Sequence, residues 1–347
     1  MEQTMELKPE LLQEINDLKP YLEDIKRRFD AYDQDNPSYE EQIKFLESNK
    51  NKIFLDFDIL FEKIWAKIKD LSPATSKSLK EYCNQIFSSY LWENIEINSY
   101  IRQKPLGYGG DYQTMIYIYD YNKNKYLGAS SYSRLINNYT CNIPVACSNI
   151  RRKDSAKEKI IEQLKRKQIP KILIVGSGPG RELVELLREG AIKSAQFYCI
   201  DFEQKAIEYF KNELKIIEFN KDLIEIVFFQ TNLIDLLKIK NLKSSIENMD
   251  FIYVSGVFDY LSQRLCRVLT KNLFFSLNKD GLLLIANMSK ENEKHRAYYD
   301  FFGEWIMFHR TKEEMIDWLK DIKNQCEYEF EEVEGCSSYH FIKLRQL

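Results

Sequence analysis

The chain of 347 residues has only three histidines and seven cysteines, at positions 83, 141, 147, 199, 266, 326 and 336, with no C-x-x-C pair among them. Such a scatter excludes a zinc ribbon and a disulfide framework and reads as reduced intracellular thiols. No apolar run approaches the roughly 18 residues a membrane-spanning helix needs, and Met1 to Asp17 carries no apolar core of signal-peptide type. An excess of one charge is lacking as well. Fifty Lys and Arg stand against 53 Asp and Glu, a net charge of −3, so neither a polyanionic partner nor a membrane surface is indicated. No basic stripe, internal repeat or low-complexity segment appears. The expectation is a cytoplasmic globular protein with no nucleic-acid partner and no membrane insertion. With 44% hydrophobic residues, the length suits one large domain or two ordinary ones.

What is present centres on Lys171 to Arg181, KILIVGSGPGR. Ile172 to Val175 is an unbroken apolar run, the pattern of a strand buried on both faces of a parallel sheet. Gly176, Gly178 and Gly180 then allow a sharp turn that brings backbone N–H groups and a helix N-terminus towards an anionic ligand. Glu182, Leu183, Val184, Leu186 and Leu187 follow at helical spacing. A second apolar run, Phe197 to Ile200, ends in Asp201, a carboxylate placed to accept hydrogen bonds from ribose hydroxyls. Dinucleotide folds use G-x-G-x-x-G. Here the third position is Arg181 and the glycine comes one residue early, an arrangement poor for pyrophosphate and good for a smaller carboxylate.

The loop resembles the first motif of class I S-adenosylmethionine-dependent methyltransferases. A narrower likeness rests on Lys104 to Tyr112 (K-P-x-G-Y-x-G-D-Y), Pro144 to Arg152 (P-V-A-x-x-x-x-R-R), Gly176 to Glu182 (G-S-G-P-G-R-E), Asp259-Tyr260-Leu261 and Glu304-Trp305 through His309-Arg310-Thr311. These stretches are similar to a bacterial group with a helical N-terminal region, which includes enzymes that methyl-esterify 3-hydroxy fatty acids to make cell–cell signals. The resemblance implies S-adenosyl-L-methionine as cofactor. It places Gly176, Ser177, Gly178, Gly180 and Glu182 along the methionine moiety, and Asp201 and Phe202 at the ribose. Thr231 and Asn232 fall near the adenine, and Ser255, Gly256, Asp259 and Tyr260 beside the methionine or the acceptor. The Tyr108 to Tyr112 loop is expected to serve as a lid.

The implied fold is α/β: a Rossmann-like class I methyltransferase sheet, mostly parallel with a C-terminal antiparallel hairpin, preceded by an α-helical N-terminal domain. Helical spacing predicts helices over 9–32, from Ile43 to a stop at Ser72-Pro73, and over 76–95, with a solvated bend at 48–52. Residues 145–164 read as a further helix. Strands are expected over 223–229, 250–254, 282–287, 328–333 and 338–344. The domain expectation is 1–165, helical, with the lid at about 100–150, and 166–347, carrying a substrate insertion at 288–311. That insertion holds Tyr298, Tyr299, Phe301, Phe302, Trp305 and Phe308 with an acid and bases, a mix that suits a cleft.

For the chemistry, a carboxylate acceptor needs only cationic anchors, whereas an amine or hydroxyl needs a base within hydrogen-bond reach. Arg151, Arg152 and Arg310 are the anchor candidates, and Asp111, Glu304 and His309 the base candidates, with Tyr108 and Tyr112 beside them. Methyl-ester formation on a small apolar carboxylic acid is the first choice. Other acceptors, chemistry releasing methylthioadenosine, and a cofactor-sensing binding protein stay open, as does a homodimer. The N/D-P-P-Y/F motif of base-amino methyltransferases is absent where Ser255-Gly256-Val257-Phe258 stands.

Overall fold

In a computed structural model, which describes residues 9–121, 127–231, 235, 246–291 and 294–347, the chain divides into two units. One comprises Met1–Ala146 with Glu293–Ile306, the other Cys147–Asn292 with Met307–Leu347.

The first unit is helical. Helix α1 (Pro9–Gln34) buries Ile15, Leu18, Leu22, Ile25 and Phe29, spaced by threes and fours, along one stripe. Helix α2 (Tyr39–Ile68) buries Leu46, Ile53, Phe57, Phe61 and Ile64, and starts at a capping box of Ser38 and Glu41. The bend expected at 48–52 does not occur. Those residues continue the helix, and the polar side chains of Ser48 and Asn49 fold back onto the Phe45 carbonyl. Ser72-Pro73 is likewise a start rather than a stop: α2 ends at Ile68, Ser72 accepts from the Thr75 N–H, and Pro73 is the first residue of α3 (Pro73–Leu91). Three shorter helices follow, α4 (Glu96–Gln103), α5 (Tyr112–Tyr119) and α6 (Ser131–Asn142).

A π-helix, Ala297–Phe302, also belongs to this unit. Its aromatics are those that the sequence places in the expected cleft of 288–311. Tyr298, Tyr299, Phe301, Phe302 and Trp305 are all buried. Tyr298 packs on Phe61 and Tyr139, with its hydroxyl bonded to Thr140 and Asn98, and Phe302 packs on Phe61 and Phe87. Long apolar side chains spaced along α2 and α3 present the surface these rings need, and Tyr298, Tyr299, Phe302 and Trp305 also line a cavity together with Leu91, Trp92 and Ile101.

The second unit is built on a sheet of order β3-β2-β1-β4-β5-β7-β6. Its strands are β1 (Lys171–Val175), β2 (Ala195–Asp201), β3 (Ile224–Gln230), β4 (Met249–Val254), β5 (Leu277–Met288), β6 (Cys326–Glu331) and β7 (Tyr339–Gln346). Strands β1 to β5 run parallel, and β7 is antiparallel to both β5 and β6. The central strands are apolar on both faces because helices cover them: α8 (Arg181–Arg188), α9 (Gln204–Lys215), α10 (Gln263–Phe274) and α11 (Lys312–Ile316). Asp280 takes the left-handed conformation at φ 61° where β5 bulges against β4.

Helix α7 (Pro144–Arg166) contributes all but its first three residues to this unit. Its side chains bond to the sheet unit: Lys153 and Lys157 to Glu185, Lys159 to Glu331, and Asn149 to the Tyr339 hydroxyl. The Cys336 thiol and the Ser338 N–H both reach Ser148.

Candidate functional site

Register brings the carboxyl ends of four strands to one edge. Val175 pairs with Ile200 and Val254, and Asp201 with Gln230, so β1, β2, β3 and β4 finish in line. A ligand of an open α/β sheet lies at this edge.

The glycine loop sits over it, and each glycine has a separate reason. Gly176, at φ 72°, passes beneath β4's exit, where an added Cβ would stand 2.4 Å from Val257 and 3.0 Å from the Ser255 carbonyl. Gly180, at φ 58°, caps α8 directly against the Phe210 ring, 2.0 Å from an added Cβ. Gly178, at φ 49°, faces open space, with nothing within 4 Å of such a Cβ. The expected presentation of loop N–H groups to an anion gives way here. The Gly176 and Ser177 N–H groups donate to the Ile200 carbonyl, the Gly178 N–H to Asp201, and the Gly180 N–H to the Ser177 carbonyl. The loop is stitched to β2. Within it, the buried Ser177 hydroxyl has no hydrogen-bond partner among the described residues, which is costly unless a ligand supplies one.

Asp201 ends β2 only 6% exposed. One carboxylate oxygen accepts from Gly178 N–H at 2.7 Å and the other from Glu203 N–H at 2.9 Å. Burial pushes its pKa up, opposed by these backbone donors. The Phe202 N–H is a third backbone donor, and three donors do not fill the roughly four acceptor sites of a carboxylate. Next to it Phe202 is 51% exposed, and the Thr231 N–H donates to the Asp201 carbonyl. Asn232 lies outside the described residues.

On the β4 side the chain leaves through Ser255 and Gly256, the latter at φ 68°, into a short 3₁₀ helix (Phe258–Tyr260). Gly256 lies against Arg152, whose guanidinium atoms are 3.5–3.9 Å from where a Cβ would stand. Arg152 is 4% exposed and stacks on the Tyr339 ring, 4.6 Å from its centroid. Asp259 is fully buried. One of its oxygens accepts from Met288 N–H at 2.7 Å, and the other is 3.8 Å from Arg152. Burial raises Asp259 to about 6, against the pull of Arg152. Glu182, second residue of α8 and also buried, is lifted by desolvation to about 7, with Lys153 and Arg152 pulling it down. Tyr260 is half-buried on the same rim.

The remaining candidates are placed differently. Arg310, in the sheet unit, gives its donors to the Phe258 and Leu261 carbonyls, to Asn287 and to Gln263. It clamps the 3₁₀ helix to β5, and the expectation of a substrate anchor is corrected. Asp111, in the helical unit, is the N-cap of α5: it accepts from the Gln113 and Thr114 N–H groups and from the Tyr100 hydroxyl. Burial raises its pKa, but its acceptor sites are occupied by its cap role. Glu304, at φ 53°, pairs with Lys104 at 3.0 Å and Arg102 at 3.4 Å, which hold it below the usual carboxylate range despite partial burial. Neither acid is left as a free base. Tyr108 and Tyr112 are half-buried in the same unit, and the His309 ring meets the Met307 carbonyl in the sheet unit. Tyr339 was not singled out by sequence. As one of several tyrosines in a strand it carried no signal, and only the hairpin's return onto α7 sets it under Arg152.

A sheet of this order, with β7 alone antiparallel and a glycine turn after β1, has the fold of class I methyltransferases. Among solved structures, the chain is similar to a possible exported protein from Bordetella parapertussis, with 14% identity over 73% of this chain and 87% of that one, at a TM-score of 0.55. Weaker likenesses are to magnesium protoporphyrin IX methyltransferase from Synechocystis with bound SAH (10% identity, 59% and 85% covered, TM-score 0.43) and to the methyltransferase domain of a bacterial Hen1 (18%, 56% and 100%, 0.42). At such identities the likeness is one of fold. No protein-family model matches the chain, and none of the curated proteins does.

Proposed function

We propose that the protein is an S-adenosylmethionine-dependent methyltransferase acting on a small carboxylic acid to form its methyl ester. One observation carries the cofactor reading: a glycine loop stitched to β2 leaves Gly178 facing open space, next to Asp201 and the unpartnered Ser177 hydroxyl. A nucleoside fits that set, with the ribose hydroxyls donating to Asp201 and an adenine lying against the exposed Phe202 ring near Thr231. When bound, the cofactor supplies an activated methyl group on a sulfonium. The chain's own part is to hold the acceptor in line and exclude water, and such positioning is worth roughly 7–11 kcal/mol.

The acceptor class is supported by what the candidate bases do in the fold. Asp111 is a helix cap and Glu304 sits in ion pairs. A carboxylate is nucleophilic without losing a proton, so it needs neither of these acids as a base. The test is incubation of the full chain with S-adenosylmethionine and a panel of aliphatic and aromatic acids, with mass spectrometry of both products. S-adenosylhomocysteine and a methyl ester are expected. Methylthioadenosine as the nucleoside product would overturn methyl transfer, and methylated amines or alcohols would overturn the acceptor class. Asp201→Ala should weaken S-adenosylhomocysteine binding by about 1–3 kcal/mol in calorimetry, since it removes hydrogen bonds to a charged acceptor.

A further inference from the structure

We propose that the helical unit carries a binding site of its own for a compact apolar carboxylic acid, in the cavity between Trp92, Ile101, Ile143, Phe302 and Trp305 with Arg102 on its wall. The site stands on this unit's own residues; that the acid it holds is the methyl acceptor rests on the reading above.

Helix α4 places Ile101 and Arg102 on the cavity, and Trp92 stands just past the end of α3. The π-helix supplies Phe302 to the other side, with Trp305 after it. Three polar side chains also reach the cavity, and they bond to one another. Asn98 donates to the Tyr298 hydroxyl at 2.7 Å, the Thr140 hydroxyl donates to Asn98 Oδ1 at 2.6 Å, and the Thr140 and Tyr298 hydroxyls are 2.8 Å apart. A water held here would need about two to four polar partners. This ring spends its groups on itself, so the space favours an apolar occupant. The cavity measures about 30 Å³. One water takes roughly 10–15 Å³ on that scale, which leaves room for about two or three heavy atoms. The end of a short branched chain fits, and a ring does not.

Charge sets the other end of the ligand. Arg102 stacks on Trp92, 4.2 Å from the ring centroid, and donates to the Phe302 carbonyl, Asn84 and Glu304. Lys104 pairs with the same Glu304 carboxylate, so two cations share one acid. Burial works against the charge on Arg102, and a carboxylate arriving beside it favours the charged form. An apolar group joined to a carboxylate is therefore matched by both wall and charge, while a neutral molecule of the same shape is matched by the wall alone.

Titration of the full chain with isovalerate, isovaleramide and benzoate tests this, followed by calorimetry and by tryptophan fluorescence, since Trp92 and Trp305 stand in the wall. Isovalerate should bind at least tenfold more tightly than either of the others. Ile143→Phe fills the cavity and should weaken isovalerate at least tenfold, with S-adenosylhomocysteine affinity within twofold of wild type. Ile143→Ala enlarges it and should bring isovalerate and benzoate within about threefold, a readout that holds if the Phe variant does not fold. Equal binding of acid and amide, no saturable binding of isovalerate, or Ile143 variants that bind all three as the wild type does each overturn the inference. The methyl-ester reading is judged separately by the products. Esters formed from acids whose binding ignores Ile143 would uphold that reading and overturn this site, and isovalerate bound with the stated selectivity yet never esterified would do the reverse.

Discussion

Gly180 and Gly178 differ in what surrounds them, although both sit at positive φ two residues apart. An alanine methyl at 180 would enter the Phe210 ring, which is fully buried and cannot swing away. Backbone strain and overpacking together should cost Gly180→Ala about 2–4 kcal/mol of folding free energy. Gly178→Ala meets only open space and should cost about 1 kcal/mol from strain alone. Urea unfolding of the two variants measures the difference, and equal losses would mean that Phe210 does not pack on the loop. At this scale the loop was readable in the sequence. A close run of glycines after an apolar strand is a local pattern, and Asp201 follows at the end of the next strand by chain order. Arg310 was not readable. Its role as a clamp depends on carbonyls at 258 and 261 and side chains at 263 and 287, which only folding brings together.

Helix ends separate a structural acid from a catalytic one. Asp111 starts α5 by bonding two backbone N–H groups, and an asparagine can do the same. Asp111→Asn is expected to keep both fold and turnover, whereas Asp111→Ala should lose about 0.5–2 kcal/mol of stability. A drop in turnover of the order of 10²–10⁴ in Asp111→Asn, with an unchanged melting curve, would restore it as a general base. The two misread places in the N-terminal region have the same origin. Five polar residues at 48–52 look like a bend only if the apolar stripe is taken to stop, yet Leu46 and Ile53 are seven apart and lie on one face of an unbroken helix. Ser-Pro suits both an exit and an entry, and the Ser72 side chain bonded to Thr75 N–H makes it an entry.

For the molecule as a whole, the buried acids make stability depend on pH. Glu182 has an ordinary value near 4.5 and is raised to about 7 in the fold by desolvation. Between those values the folded state holds a proton that the unfolded state has released, so the contribution of Glu182 to stability is greatest below pH 4.5 and falls as pH rises to 7, by on the order of 3 kcal/mol for a shift of this size. Glu182→Gln has no proton to lose. Its stability relative to wild type should therefore rise by about 1–3 kcal/mol between pH 4.5 and pH 8 in urea titrations, and a difference that stays flat would mean that Glu182 titrates as an exposed acid does.

The succession of strands along the chain, the glycine turn and the acid at the end of β2 were set out by the linear chain, because each depends on local apolar runs, and the parallel sheet with its antiparallel hairpin was implied by the resemblance. Which unit owns the aromatics of 297–305, which arginine faces the sheet edge and which is spent on carbonyls, and where the loop's N–H groups go were decided only in three dimensions. Each of those depends on partners tens to hundreds of residues away, and a side chain's role follows from what its polar atoms finally meet once water has been removed.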